Sequence, residues 1–555
     1  MSDGVATTLF LAGMLAWLAV VAIDARRLLH VLQLEEYDLP RFWRWVRDTP
    51  GRGVPRNQWQ AAAILIVVGV VIGILGIITH STPLVIAQEC FAFTLAAALR
   101  GWFGRARGDA KKPLVWTKKA MLLAGLAVAL VAVTLAPAVA GWLREPGAGW
   151  ATLLLVMVGA AGFGYVSAAY LTFATLILWP FQATAKWALV QAATVRLRRR
   201  GDLIVVGVTG SYGKTSTKEI LATLLGARYR VCKTTGSVNT PIGIARTVLR
   251  GLRPEHQVFV VEMGAYVRGN IRELARLARP RIGVLTAIGE QHLERFGSVE
   301  NIAKTKYELI EALPADGLAV FNADNEGCRT LAARTRHVRV RTYGLDAADG
   351  TPEVTAVDIR TSTEGTEFTV RAAGHGEARF VSPLLGRHNV SNVLAATAVA
   401  LELGLSLAEI AAAARGLEPV AHRLQLIHGQ GGVTVIDDAY NSNPAGARAA
   451  LAVLSEFSGR KVLVTPGMVE LGERLDERHA EFGREAAAVC DYVILIGRRR
   501  TAAIAAGARA AGFPPDRLFV VPSLKEATAQ LGRLVSAGDV VLFENDLPDQ
   551  YSEEC

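Results

Sequence analysis

The chain has 555 residues, too many for one domain, and a mean hydropathy of +0.30 excludes a uniformly polar, wholly water-exposed enzyme. The formal net charge of +10 suggests nucleic acid, but many of the lysines and arginines flank apolar runs, where membrane orientation accounts for them, so no nucleic-acid partner is expected. Five cysteines (Cys90, Cys232, Cys328, Cys490, Cys555) lack any CxxC or Cys/His spacing, which argues against a disulfide framework or a zinc site and fits a reducing compartment.

The apolar excess lies before residue 185, in segments at roughly 4–23, 60–79, 82–99, 120–143 and 150–180. A helix needs about 20 apolar residues to cross a bilayer. Four segments meet that length comfortably, and the third, with Gln88 and Glu89, is marginal. Basic residues alternate along the chain: none in "MSDGV", seven arginines in 24–59, none near 80, a cluster in 100–119 and another after 181. Five crossings satisfy that alternation, with the amino terminus outside and residues 185 onward inside. Residues 1–190 are therefore expected to form an α-helical transmembrane bundle, with membrane lipid as a partner. The expected placement is multi-pass in the plasma membrane, with the catalytic domains in the cytoplasm. Glu89 has two readings: a functional buried charge, or a residue near a helix end that reaches the headgroups.

"DLIVVGVTG" (202–210) reads as a buried strand, and "TSTKEILATLLGARY" has helical spacing. Strand, glycine loop and helix together form the setting of a phosphate loop. Gly210 and Gly213 let backbone N–H groups approach phosphates, Lys214 supplies a cation, and Thr215 offers a hydroxyl to Mg²⁺. The form is the shorter TGxxGKT, with Val208 where the longer pattern has Gly.

"VFVVEMGAY" (258–266) is a second buried strand whose terminal Glu262 suits a Mg²⁺ ligand, although many strands end in Glu. His292 follows a third strand in "IGVLTAIGEQHLERFGS"; a lone loop histidine is more often a surface residue. Lys304 and Lys306 in "NIAKTKYELI" read as solvated helix lysines on different faces. Asn389 and Asn392 share the first turn of a helix in "LLGRHNVSNVLAATAVALELG", where an Asn either caps or reaches a base edge. From about 420 a fresh strand–turn–helix pattern begins, with Asp437 and Asp438 at its first strand end.

Together, TGSYGKTST, VEMGA, AIGEQHLERFGS, IAKTKYELI, GRHNVSNVLAA, HRLQ, IDDAYNSNP and ELGE resemble the Mur ligase family over about 200–545. GRHN and DDxYNxNP resemble the family's branch that adds an amine such as D-alanyl-D-alanine to a muramyl peptide. The resemblance implies a P-loop ATPase domain at 200–418 and a Rossmann-like α/β domain at 419–555. It implies ATP and Mg²⁺ as cofactors. Gly210, Ser211, Gly213, Lys214, Thr215 and Ser216 would hold ATP phosphates and Mg²⁺, with Glu262 and His292 at metal sites. Lys306 falls where the family carries a carbamylated lysine. Asn389 and Asn392 would face adenine, and Arg423 and Asp438 would close on the γ-phosphate and ribose. Ser237, Asn239 and Thr240 would lie along the substrate carboxylate, with Asn441 and Asn443 near the cleft. Lys214, Lys306, His292 and Glu262 are thus the implied catalytic set.

The chemistry implied is activation of a carboxylate as an acyl phosphate, followed by attack of an amine. The carboxylate substrate would be a UDP-linked or lipid-linked muramyl peptide. Other readings are a ligase for a poly-γ-glutamate-like polymer and an ATP-driven transporter. Three departures from the family bear on substrate choice: the apolar region in place of a UDP-gripping domain, "TPGM" before ELG, and the tail "ENDLPDQYSEEC".

Overall fold

The computed structural model describes residues 25–35, 37–48, 114–144, 163–345, 351–362, 364–440 and 442–546. The chain divides into two compact units, residues 1–184 with 549–555, and residues 185–548.

In the first unit, helices at 25–34, Leu39–Asp48, Lys118–Arg144 and from Phe163 bury a shared apolar cluster that includes Leu32, Phe42, Leu123 and Leu171. Trp43 Nε1 donates to Thr172 Oγ1 at 3.0 Å, which ties the second helix to the last. The expectation of a transmembrane bundle is corrected here: among the described residues, no helix is long and apolar enough to cross a membrane. In helix Phe163–Arg198, Ser167, Thr172, Thr175, Pro180, Gln182 and Lys186 interrupt the apolar run. The multi-pass plasma-membrane placement and the membrane-lipid partner, which rested on those spans, lose their basis with them. The segments 4–23, 60–79 and 82–99, and Glu89, lie outside the described residues.

The second unit is built on two sheets. The β-branched strand Ile204–Thr209 (β1) is buried on both faces, so it takes the middle of a sheet rather than an edge. In chain order follow β2 (Val231–Lys233), β3 (Val258–Glu262), β4 (Ile282–Leu285), β5 (Leu318–Asn322), β6 (Arg339–Gly344), β7 (Val354–Ser362), β8 (Gly365–Ala372) and β9 (Gly376–Ser382). Among the described residues they form one sheet, in the order β2-β3-β1-β4-β5-β6-β7-β8-β9. Pairing is parallel from β2 to β7, and β7–β9 form an antiparallel extension. Helices cover both faces and generate two apolar cores, one around Leu221 and Leu394, the other around Ile271 and Leu309. Strand order reverses at β1, which lies between β3 and β4. Ligands of doubly wound sheets bind at that switch point, outside the carboxyl ends of the strands.

The second sheet has the order β10-β11-β15-β12-β13-β14, from Gln425–His428 (β10), Thr434–Asp438 (β11), Lys461–Thr465 (β12), Tyr492–Ile496 (β13), Leu518–Val521 (β14) and Val540–Glu544 (β15). Among the described residues only β10 pairs antiparallel in this sheet. Cys232, Cys328 and Cys490 are free and buried.

One buried acid supports the first sheet without entering the cleft. Helix Asn270–Ala278 starts after Gly269 with no side-chain cap of its own. Glu308, on helix Val299–Glu311, supplies the cap: its carboxylate accepts from Gly269 N at 2.8 Å and Arg272 N at 3.0 Å. Glu308→Ala leaves both N–H groups unpaired and is expected to cost about 2–3 kcal/mol, read as a lower denaturation midpoint. Glu308→Gln, which keeps one acceptor, should lose less.

Candidate functional site

The loop after β1 is stitched to the loop after β4. Ser211 N donates to Ala287 O at 2.8 Å, Ser211 Oγ accepts from Gly289 N at 2.9 Å, and Thr286 Oγ1 donates to Thr209 O at 3.2 Å. Gly213 sits at φ 80°, and a Cβ there would lie 2.7 Å from Asn392 Oδ1, so both conformation and space demand glycine. Helix Lys214–Leu225 begins directly after it. The loop therefore presents backbone N–H groups and a positive helix end to one small volume.

Lys214 Nζ donates to Gly210 O at 2.8 Å and Ser211 O at 3.0 Å, and approaches Gln291 Oε1 at 3.4 Å. Burial lowers its pKa to about 8, with Arg423 adding to the shift and Glu262 opposing it. Glu262, 1% exposed at the end of β3, accepts from Thr215 Oγ1 at 2.9 Å and Asn239 Nδ2 at 3.1 Å. Lys306 is not the solvated helix lysine its spacing suggested. Helix Val299–Glu311 turns it inward, where it is 3% exposed and donates to Gly210 O at 2.9 Å. Burial, then the neighbouring Lys214 charge, pushes its pKa well down.

His292 adopts a left-handed backbone (φ 58°) at the start of Leu293–Phe296, and its Nδ1 pairs with the Glu470 carboxylate. Burial lowers its pKa, against the pull of Glu470. The Tyr266 ring lies edge-on to it, centroids 4.8 Å apart, under the Arg295 guanidinium.

Asn389 and Asn392 are buried inside helix Arg387–Glu402, so neither caps it. Asn392 Oδ1 accepts from Thr217 Oγ1 at 3.1 Å, and its Nδ2 donates to Asn389 Oδ1 at 3.2 Å. In the second sheet, Arg423 stacks its guanidinium 4.4 Å over the Tyr440 ring, and Asp438 Oδ1 accepts from Leu424 N at 3.1 Å.

The carboxyl ends of β1, β3 and β4 thus bring together Gly210, Ser211, Gly213, Lys214, Thr215, Glu262, Lys306 and Asn239. Ser216 is half-buried on the first turn of its helix, and Ser237 is half-buried in a turn. Thr240 caps helix Pro241–Arg250, and Asn443 caps Pro444–Ser455, so both side chains serve helix ends. Asn441 lies outside the described residues. Two groups escaped the sequence reading. Lys218, one turn after Lys214, is fully buried, 3.0 Å from Glu219 and 3.7 Å from Glu262, and donates to Gly236 O. Its four-residue spacing from Lys214 was the available signal. Glu470, in the ELGE stretch, was seen as part of a motif but given no part.

Mg²⁺ needs one or two hard oxygen donors from a protein and takes the rest from phosphate and water. The buried Thr215 hydroxyl and Glu262 carboxylate, 2.9 Å apart beside the phosphate loop, meet that demand. Among the described residues no three His, Cys, Asp or Glu side chains converge as a metal cage.

The two sheets are joined across the cleft by ion pairs. Glu290, beyond β4, accepts from Arg478 at 2.9 Å through each oxygen and also pairs with Arg474. Glu470 pairs with Arg295 at 3.1 Å as well as with His292. A glycine loop opening a helix at a sheet's switch point, tied by ion pairs to a second α/β domain, is an arrangement suited to ATP-dependent chemistry that must exclude water, as in the ATP-dependent carboxylate–amine ligases.

Residues 208–400 match the Mur ligase middle domain, and residues 422–544 match the Mur ligase glutamate ligase domain. The chain is 36% identical over 361 residues to the UDP-N-acetylmuramoyl-tripeptide–D-alanyl-D-alanine ligase of Bacillus subtilis, over 64% of this chain and 76% of that one. It is 37% identical over 366 residues to the protein of the same name from Mycobacterium tuberculosis, over 62% and 70%. Its structure is similar to that of MurF from Acinetobacter baumannii, with TM-score 0.60, 28% identity and coverage of 66% of this chain and 79% of that one. MurF ligase from Thermotoga maritima in complex with ADP gives TM-score 0.58 and 28% identity over 66% and 82%. The chain belongs to the Mur ligase family, and it is an ATP-dependent ligase that forms a peptide bond, with ATP and Mg²⁺ as cofactors.

Proposed function

We propose that this ligase joins D-alanyl-D-alanine to the terminal carboxylate of a UDP-linked muramyl tripeptide in peptidoglycan precursor synthesis. The relatives matched over the ATP-handling region carry that activity in their names. The observation that supports the chemistry is the convergence of Lys214, Thr215, Glu262 and Lys306 on the loop after β1.

In this reading, 200–418 binds ATP and 419–555 closes over it. The loop N–H groups and Lys214 hold the phosphates. Thr215 and Glu262 would hold Mg²⁺, which screens the charge that builds as carboxylate meets triphosphate. The substrate carboxylate, along 237–240, attacks the γ-phosphorus, the bond to ADP breaks, and an acyl phosphate forms. The amine then attacks the acyl carbon, phosphate leaves, and the amine loses a proton. Asn389 and Asn392 border the adenine, and Arg423 and Asp438 meet the γ-phosphate and ribose. Lys306 carries a carbamate: its neutral amine attacks CO₂, a C–N bond forms and a proton departs.

The test is phosphate release from ATP with UDP-muramyl tripeptide and D-alanyl-D-alanine, with mass analysis of the product. Release that requires both, with the ligated mass, supports the reading. Release that requires a different pair would move the substrate and keep the chemistry.

The cleft ion pairs predict a second outcome. Two charge-assisted hydrogen bonds join Glu290 to Arg478, and Arg478→Ala leaves that half-buried carboxylate with Arg474 alone. We expect kcat/KM to fall about tenfold, and high salt to reduce the wild-type rate towards the variant's. Equal salt profiles would count against the closure role.

A further inference from the structure

Asp438 and Glu544 end the neighbouring parallel strands β11 and β15 as register partners, so their side chains emerge side by side. They lie within hydrogen-bond reach of one another. Glu544 is 1% exposed. Its Oε1 accepts from the Ser442 hydroxyl, while its Oε2 lacks a conventional donor. The charged groups facing the pair are Arg423, which acts on Asp438, and Asp437, which pairs with His422 at 2.7 Å. Among the described residues no cation is paired with Glu544.

Two carboxylates in contact cannot both ionise in a buried setting, and one proton stays with the pair. Glu544 is the deeper of the two, and Arg423 favours the charge on Asp438. An acid Oε2–H aimed at Asp438 removes the unsatisfied oxygen without any further partner. Asn545 locks this corner: at φ 71° it accepts from Ser442 N at 3.2 Å and donates to Gly467 O at 2.6 Å.

We propose that Glu544 acts as a neutral acid that donates a hydrogen bond from Oε2 to Asp438, and so positions that carboxylate to accept from a ribose hydroxyl of the nucleotide. The proposal rests on the reading above that Asp438 meets the ribose. Burial, reinforced by Asp438, pushes the Glu544 pKa well up, in keeping with this role. Glu544 is a positioning residue, since it reaches the nucleotide only through Asp438.

The test is the Kd of ADP, 2′-deoxy-ADP and 3′-deoxy-ADP by titration calorimetry on the full chain, which needs no knowledge of the ligated substrates. Wild type should prefer ADP over one deoxy form, and Asp438→Ala should lose that preference. Glu544→Leu should weaken ADP by about tenfold and leave the deoxy form nearly unchanged. Glu544→Gln, whose amide can donate to Asp438 and accept from Ser442, should keep the wild-type preference, and its near-identical shape removes folding as an explanation. If Asp438→Ala loses the preference while Glu544→Leu keeps it, or if Glu544→Gln loses it, the positioning role is wrong and the ribose reading stands. If Asp438→Ala keeps the preference, the ribose reading falls and this inference with it.

Discussion

Lys214→Ala is expected to lower ATP-dependent ligation by about a thousandfold. The Lys214 ammonium is held on the carbonyls of Gly210 and Ser211, the two residues that begin the loop, which puts it at the proposed phosphate site. Few other groups can supply that charge: burial disfavours the charged form of Lys306, and Lys218 is committed to Glu219 and Gly236. Single-turnover transfer of γ-phosphate measures the loss directly, and a variant within tenfold of wild type would remove Lys214 from the proposed role. The lysine also makes a pH prediction. Its pKa of about 8 lies below the ordinary 10.5, chiefly through burial, so the free enzyme loses this cation as pH rises through 8. The KM for ATP should climb over that range, and Lys214→Arg, charged throughout, should flatten the climb. The sign for stability is opposite. Between about 8 and 10.5 the unfolded chain binds the proton more tightly, so the folding penalty from this lysine is full below pH 8 and fades as pH rises.

Lys306→Ala is expected to reduce ligation by about a hundredfold or more, on the scale of losing one charge-stabilising group in an active site. A lysine forms a carbamate only as the neutral amine, and burial together with the Lys214 charge favours that form here. Wild-type activity should fall in CO₂-depleted buffer and return with bicarbonate, and intact-protein mass analysis at alkaline pH should show one added carboxylate. Short carboxylic acids should partly restore Lys306→Ala by filling the space of the lost side chain. Indifference of wild type to bicarbonate, with no added mass, would reject the carbamate and leave Lys306 as a structural partner of the loop.

Much of the site was legible because its parts are local in the chain. The strand–loop–helix at 202–225 is continuous, and glycine at 210 and 213 reports a backbone need that no distant contact alters. Glu262 was legible for a related reason: a fully apolar strand that ends in an acid places that acid at the carboxyl end of the sheet. The apolar first third was misread. Hydropathy sums residues along the chain, whereas a crossing needs one helix that is both long and apolar throughout, and among the described residues none is long and apolar enough.

Lys304 and Lys306 mark where sequence reasoning stops. Both sit on one helix with plausible exposure, and only the packing of Val299–Glu311 under the first sheet shows which one is buried against Gly210. The pairing of Glu470 with His292 and of Glu290 with Arg478 joins residues about 180 positions apart, which no short-range pattern encodes. Asp438 and Glu544 likewise meet only because β11 and β15 are neighbours in the sheet. The sequence by itself determined the strand–glycine loop–helix, the acid beside it and the family, because backbone geometry and strand ends are local properties. The tertiary structure decided which charges are desolvated and paired, because burial and electrostatic partners depend on chain segments that only the fold brings together.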